Sequence, residues 1–446
     1  MIVLKFGGSS VADAACMRQV ADLVKAALPE APLVVLSAMG KTTNALFGAA
    51  KAAESGDLSG AMEHHAAILA AHHRAAADLS GGVVPETLGA VLIDLLSELE
   101  LLLRGVALLR ELSPRSMDAI ASLGERLSTR IFAAHVGGTW VDARTVLRTD
   151  GVFGEAAPQS DRVRALAKEH LAPHLSVGQA VVTQGYIGAT EDGLTTTLGR
   201  GGSDYSAALF GAALGAKEVQ IWTDVEGVLT CDPRIVPEAL PISDLSFAEA
   251  AELAAFGAKV LHPATIQPAV EARIPVTVRH TQKPHGRFTT ISAEVRTGRP
   301  ITALASRGPV TVLTVSSTRM LAQSGFLARL FEVFGRRGVS VDLVATAEVS
   351  VSLTVEADVP LKSLLQDLEV FATVQVHEGR TIIAAVGERL KSTHGIGARL
   401  LTALGDINVE MISMGANEIN LSLVVQQEHA AEALRRLHRV LAGGLS

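Results

Sequence analysis

A chain of 446 residues, 48% apolar and 19% charged, has room for about three domains and is too apolar to stay disordered. Its net charge of −7, from 39 basic and 46 acidic residues with no Lys/Arg block, argues against nucleic acid or a membrane surface held by charge. Cys16 and Cys231 lie far apart without a CxxC, which argues against a disulfide scaffold or zinc site and fits a reducing cytoplasm.

In chain order, Ile2–Phe6 reads as a short apolar strand ending in Gly7-Gly8. Its short apolar start, already carrying Lys5, does not read as a signal peptide, and no uncharged apolar run of about 18 residues predicts a transmembrane helix. Asp13 to Leu28 has helical spacing stopped by Pro29, and Leu33–Leu36 is a second apolar strand. Short apolar strands alternating with helices predict a parallel sheet covered on both faces. Residues 42–135 are Ala/Leu-rich with a helical period, broken near Gly56–Gly60, Gly81-Gly82 and Ser113-Pro114. Within them the Leu92–Leu109 run reads as packing surface, and His64-His65 and His72-His73 read as surface histidines. Strand signals return at Trp140–Val146, Ala180–Thr183, Leu194–Thr197, Val219–Trp222 and Val276–Val278, with helices starting near Arg162, Ser203 and Phe247. One α/β domain over residues 1–297 accounts for all of this.

After Thr297-Gly298-Arg299-Pro300 the texture changes to a repeat. Stretches starting at Gly325 and Gly395 each read helix, glycine turn, alternating strand, turn, alternating strand. An offset of 68 (407 − 339) sets Val339 on Ile407, Val341 on Val409, Asp342 on Glu410 and Leu353 on Leu421. A strand opens each unit, Val310–Val315 and then Thr381–Val386, so two small βαββαβ modules are predicted over 308–380 and 381–446, the second taking in a strand at 301–307.

Several motifs carry chemistry. Lys5-Phe6-Gly7-Gly8-Ser9-Ser10 sets a glycine turn between a strand and a helix, where backbone amides approach phosphate and a lysine can meet a transferring phosphoryl group. A glycine turn with a solvated lysine explains it equally well. Gly40-Lys41-Thr42 fails the Walker A pattern, because Val35 stands where its first glycine belongs. Thr195-Thr196-Thr197-Leu198-Gly199-Arg200-Gly201-Gly202-Ser203-Asp204 runs from a strand into a helix that Ser203 or Asp204 can cap. Four amides, a carboxylate and an arginine that looks buried between glycines converge there, where an open α/β sheet binds ligands. Thr223-Asp224 ends a strand; the turn at Gly227 has hairpin chemistry, and Arg234 in Asp232-Pro233-Arg234 can pair with phosphate. Lys259, in Phe256-Gly257-Ala258-Lys259, either complements a helix dipole or binds a ligand. Gly124 is costly inside a helix, about 1 kcal/mol against alanine, and marks a close approach beside Glu125, which can receive an ammonium or sit in an exposed Glu–Arg pair.

In the order KFGGSSVAD, GERLSTRIF, TTTLGRGGSDYSAAL, WTDVEGVLTCDPR and FGAKVLHP, these motifs resemble the aspartate kinase family, and the C-terminal pair resembles ACT domains. The GFLA…SVDLVAT stretch looks most like the lysine-sensitive monofunctional aspartokinases. The resemblance implies an amino-acid kinase fold, a mostly parallel sheet sandwiched by helices, followed by two α+β ACT domains. It implies ATP and Mg²⁺, L-aspartate as substrate and 4-phospho-L-aspartate as product, at the first step toward lysine, threonine and methionine through diaminopimelate. By resemblance Lys5 neutralises the transferring phosphoryl group and Asp204 orients Lys5, while Gly7, Gly8 and Ser9 cradle phosphates. Thr43, Glu125, Arg200 and Ser203 hold aspartate, with Arg200 on the α-carboxylate and Glu125 on the ammonium. Thr223, Asp224, Leu229, Arg234 and Lys259 bind ATP, Leu229 standing where relatives often have tyrosine. The implied effector site is Met320, Gly325, Phe326, Leu327, Ser340, Val341, Asp342, Thr346 and Glu348, with Asp342 on the effector ammonium and L-lysine the favoured effector. A cytoplasmic homodimer or homotetramer joined through the ACT domains is also implied. The open rivals are a kinase of acetylglutamate, glutamate or nucleoside monophosphate, and a non-catalytic amino-acid sensor.

The substrate carboxylate, with an ordinary pKa near 3.9, is already a nucleophile at neutral pH. The chemical problem is therefore to bring two anions together, which calls for cations and amides rather than a base.

Overall fold

The computed structural model describes residues 1–257, 263–293, 298–317, 325–415 and 417–442. They fall into two units, Met1–Val228 with Val260–Glu294, and Leu229–Lys259 with Val295–Ser446.

The first unit opens with β1 (Ile2–Phe6), buried on both faces, and α1 (Ala14–Ala27), which Asp13 caps by accepting from the Cys16 amide. Next come β2 (Pro32–Leu36), α2 (Thr42–Glu54), α3 (Leu58–Leu79), α4 (Glu86–Leu109) and α5 (Pro114–Val136). Then follow β3 (Thr139–Trp140), α6 (Ser160–His170), β4 (Val181–Gln184), β5 (Ile187–Ala189), β6 (Thr195–Thr197), α7 (Gly202–Leu214) and β7 (Val219–Thr223). After β8 (Asp244–Ser246) and α8 (Phe247–Ala255) of the second unit, the first resumes with α9 (Pro263–Glu271), β9 (Val276–His280) and β10 (Thr289–Ser292). Its main sheet runs β3-β4-β2-β1-β7-β9-β10, parallel until β10 turns antiparallel to β9. The core joins this sheet to α1–α5 through Phe6, Met17, Leu46, Leu99, Leu103 and Phe132.

Four expectations need correction here. Thr195–Thr197 is not part of the parallel sheet; it pairs antiparallel with Ile187–Ala189, because its buried threonines need hydrogen bonds such as Thr149 Oγ1 to Thr196 Oγ1 at 2.7 Å. The expected strand Trp140–Val146 stops at Trp140, where Asp142 accepts from the Arg144 amide and starts a short 3₁₀ turn. His72 is not a surface histidine: it is fully buried, with Nδ1 2.7 Å from the Ile68 carbonyl. Gly227 is not a hairpin glycine but a close approach at φ +114°, where a Cβ would lie 2.8 Å from the Thr289 amide.

The second unit continues with β11 (Ala303–Ser316), α10 (Phe326–Arg336), β12 (Val344–Thr346), β13 (Ser350–Glu356) and α11 (Leu361–Glu369). It ends with β14 (Thr373–Val386), α12 (Ile396–Leu404), β15 (Met411–Met414), β16 (Asn420–Gln426) and α13 (Gln427–Ala442). Its antiparallel sheet runs β12-β13-β11-β14-β16-β15. The two long strands are shared: Ala303–Arg307 pairs with Ile382–Val386, while Val312–Ser316 pairs with Thr373–His377. The repeat is real but its register shifts. Leu313 faces Leu353 and Ile383 faces Leu423, so Leu353 corresponds to Leu423 rather than Leu421. The offset of 68 survives at Asp342 and Glu410, whose amides bond Thr354 and Val424. The Leu229–Lys259 segment packs Cys231 and Val236 into this unit's core and ties Thr230 to His438 at 2.9 Å. No helix among the described residues is long and apolar enough to cross a membrane.

Candidate active site

The carboxyl ends of β1, β2 and β7 carry the site. Lys5, near the end of β1, is only 9% exposed, and its Nζ lies 2.7 Å from Asp204 Oδ1 in the first turn of α7. The ammonium hangs over the glycine turn, since a Cβ on Gly7 would sit 3.6 Å from Lys5 Nζ. Gly8 has to be glycine: a Cβ there would come within 2.9 Å of the Ala38 carbonyl and 3.1 Å of the Gly40 carbonyl. The turn is fastened by Gly40 N to Gly8 O and by Ser10 Oγ to Thr281 Oγ1 at 2.7 Å, while Ser9 stays exposed.

The loop after β2 forms the adjoining wall. Ser37 Oγ donates to Ser203 Oγ at 3.0 Å, and Ser128 Oγ on α5 donates to the Ser37 carbonyl. Glu125 on the same helix accepts from the Ala38 amide at 3.1 Å through Oε1, while Oε2 has no hydrogen-bond partner. Burial pushes its carboxyl up to about 8. The exposed Glu–Arg pair is thereby excluded; Arg126 pairs with Glu98 instead. Gly124 is the expected close approach, since a Cβ on it would meet Ala38 Cβ at 2.8 Å. Thr43 stands half-buried in the first turn of α2.

The turn before α7 departs from expectation twice. Its N-cap is Gly201 at φ +72°, not Ser203 or Asp204, because the Asp204 carboxylate is committed to Lys5 and the Ser203 hydroxyl to Ser37. Arg200 is exposed rather than buried, with Gly199 and Gly201 in left-handed conformations on either side of it. It has no ion-pair partner among the described residues. A free guanidinium at a helix start suits a carboxylate. Sequence reasoning missed Asp118, 2% exposed on α5, which accepts from Thr197 Oγ1 and from the Thr197 and Gly154 amides. Burial raises its pKa.

Thr223 closes β7 and Asp224 follows it, with the Thr223 hydroxyl donating to Asp224 at 3.1 Å. Leu229 and Arg234 belong to the second unit, where Arg234 pairs with Asp232. Lys259 and Met320 lie outside the described residues. Of the remaining effector candidates, Gly325 caps α10, Phe326 and Leu327 start it, Ser340–Asp342 leads into β12, and Thr346 and Glu348 end that strand and its turn. Asp342 Oδ1 accepts from Arg307 at 2.8 Å, and burial raises its pKa against that pairing. No group of three or more His, Cys, Asp or Glu able to hold a metal occurs among the described residues.

A lysine, two glycine turns and a carboxylate-bearing helix at the carboxyl edge of a mostly parallel sheet define the amino acid kinase class. Residues 1–280 match the model of the Amino acid kinase family, and residues 383–441 match an ACT domain. The chain is 40% identical to the lysine-sensitive aspartokinase 3 of Escherichia coli (strain K12) over 453 residues, 98% of each chain. It is 40% identical to the chloroplastic aspartokinase 1 of Arabidopsis thaliana over 459 residues, 98% of this chain and 79% of that one. The crystal structure of E. coli aspartokinase III in complex with aspartate and ADP (R-state) superposes with a TM-score of 0.84 at 39% identity, covering 99% of this chain and 100% of that one. Its complex with lysine and aspartate (T-state) gives 0.82, covering 99% of each. The chain belongs to the aspartokinase family.

Proposed function

We propose that this chain is an ATP-dependent aspartate kinase that moves the γ-phosphoryl group onto the side-chain carboxylate of L-aspartate, forming 4-phospho-L-aspartate and ADP. The Lys5–Asp204 pair over the Gly7-Gly8 turn carries the reading. Asp204 orients the ammonium so that it meets negative charge developing on the transferring group, in a spot already withdrawn from water. The amides of Gly7, Gly8 and Ser9 hold phosphate oxygens, and Thr223 and Asp224 bind the rest of the nucleotide. Arg200 takes the α-carboxylate of aspartate, Glu125 its α-ammonium, and Thr43 and Ser203 line the pocket. That leaves the β-carboxylate as the free nucleophile, which needs no general base because it is already ionised. Mg²⁺ bound to the ATP phosphates would neutralise their charge.

The resemblance to the E. coli enzyme crystallised with lysine supports L-lysine as feedback effector. It would bind at Met320, Gly325–Leu327, Ser340–Asp342, Thr346 and Glu348. To inhibit, it must bind one quaternary state better than another, so a homodimer or homotetramer joined through the ACT modules belongs to the reading. So do a cytoplasmic location and a place at the head of lysine, threonine and methionine synthesis.

Trapping the acyl phosphate with hydroxylamine tests this. With ATP and Mg²⁺, L-aspartate is expected to give hydroxamate, and added L-lysine is expected to suppress it more than threonine or methionine does. Hydroxamate from glutamate but not aspartate would reject the substrate, and no ATP turnover at all would leave a sensor.

A further inference from the structure

Asp118 is buried without a cation among the described residues, yet both of its carboxylate oxygens accept hydrogen bonds. Oδ1 takes the Thr197 hydroxyl at 2.8 Å, and Oδ2 takes the Thr197 amide and the Gly154 amide, each at 2.9 Å. A buried carboxylate holding three donors makes a stiff joint, since losing any donor leaves charge unsatisfied.

What it joins matters. Thr197 is the last residue of β6, and Leu198-Gly199-Arg200-Gly201 follows directly. Gly199 is seated on the other strip that Asp118 holds: a Cβ there would meet Glu155 Cγ at 3.1 Å and the Gly154 carbonyl at 3.2 Å. The Ala156 amide closes the clamp by donating to the Thr197 carbonyl at 2.9 Å. On the helix side, Asp118 precedes Glu125 by about two turns, so both lie on one face of α5. One rigid helix thus carries Glu125 directly and the Arg200 turn through a three-bond strut.

We propose that Asp118 is a positioning residue for substrate selection, setting the Arg200 turn at a fixed place relative to Glu125 so that the pocket recognises the two charges on one α-carbon together. This rests on the assignment of Glu125 and Arg200 to aspartate.

The test compares steady-state kinetics of the full chain with Asp118→Asn, Thr197→Val, Thr197→Ser and Arg200→Ala. The asparagine variant keeps the shape but turns an amide toward N–H donors. It is expected to raise KM for aspartate on the order of tenfold, as the loss of a charged hydrogen bond would, with KM for ATP within about twofold. Thr197→Val removes only the hydroxyl bond and raises KM for aspartate less, and Thr197→Ser restores it. The preference for L-aspartate over its α-carboxamide falls in Asp118→Asn, because a loosened turn no longer reads the carboxylate. A merely structural role would lower the melting temperature and the active fraction while leaving this preference and the KM ratio alone, and that result overturns the inference. If Asp118→Asn does not fold, Thr197→Val decides. If Arg200→Ala leaves KM for aspartate unchanged, the assignment beneath the inference falls first, and the inference with it. If Arg200→Ala raises it and the Asp118 and Thr197 variants do not, the inference alone is wrong.

Discussion

Lys5 Nζ and Asp204 Oδ1 stand 2.7 Å apart with their side chains 11% and 17% exposed, joining the middle strand of the sheet to the first turn of α7. A charged pair withdrawn this far from water contributes little to stability, because desolvation offsets the attraction. The role proposed for it is orientation of the ammonium over Gly7. Lys5→Ala is therefore expected to lower kcat by on the order of 10³-fold and, by leaving the Asp204 carboxylate without its cation, to lower the melting temperature, while calorimetric lysine binding stays nearly unchanged. Asp204→Asn loses less, and the double variant is no worse than Lys5→Ala, because both changes remove one device. Unaffected turnover in Lys5→Ala would refute the role given to that residue.

With Glu125 proposed to receive the aspartate ammonium, aspartate binding is expected to depend on pH. With its carboxyl raised by burial to about 8, the substrate-free enzyme holds it mostly protonated at neutral pH. An arriving ammonium needs the carboxylate, so binding releases a proton. KM for aspartate is expected to fall as pH rises toward about 8 and then level off, whereas Glu125→Gln shows a higher KM with no such slope. Stability carries the opposite sign. The folded-state pKa lies above the ordinary 4.5, so the folded state binds the proton more tightly and loses stability as pH climbs from there to about 8. Glu125→Gln removes that loss, and its melting temperature exceeds the parent's at pH 9.

The legible parts of this molecule are those whose cause is local. Gly7-Gly8, Gly124 and the Gly199–Gly202 turn are visible because glycine is costly unless a close approach or a left-handed backbone requires it. The repeat is visible through its helix and turn, but its strand register is not: the second module has two fewer residues before β15 and two more after it, as Asp342/Glu410 and Leu353/Leu423 show. Asp118 is invisible because its partners, Thr197 and Gly154, are distant in sequence, and no period on α5 separates a buried aspartate from an exposed one. Arg200 misleads for the same reason in reverse, since its flanking glycines suggest enclosure but present it to solvent.

Gly124 predicts a packing failure that spreads to the pocket. A Cβ would lie 2.8 Å from Ala38 Cβ and 3.3 Å from Leu46 Cδ1, and Ala38 is the residue whose amide holds Glu125. Gly124→Ala gains about 1 kcal/mol of helix propensity, but overpacking costs about 1–3 kcal/mol. The variant is expected to melt lower than the parent and to raise KM for aspartate more than KM for ATP. A melting temperature above the parent's would show that the Ala38 loop gives way freely.

Arg307 predicts how tightly the effector binds. Its guanidinium donates to Asp342 Oδ1 at 2.8 Å and also contacts Glu356, while Asp342 Oδ2 is buried without a hydrogen-bond partner. The carboxylate proposed to receive the effector ammonium is therefore already half neutralised from within its own chain. An incoming ammonium must share or displace that cation, and the attraction it gains is reduced accordingly. Removing the arginine leaves a buried carboxylate with no compensating charge, which an ammonium ligand then relieves in full. Arg307→Ala is expected to lower the lysine concentration for half-inhibition on the order of tenfold, with turnover in the absence of lysine within about twofold of the parent. Asp342→Asn is expected to abolish inhibition. Weaker lysine inhibition in Arg307→Ala would mean that the arginine holds Asp342 in place for the effector rather than competing with it.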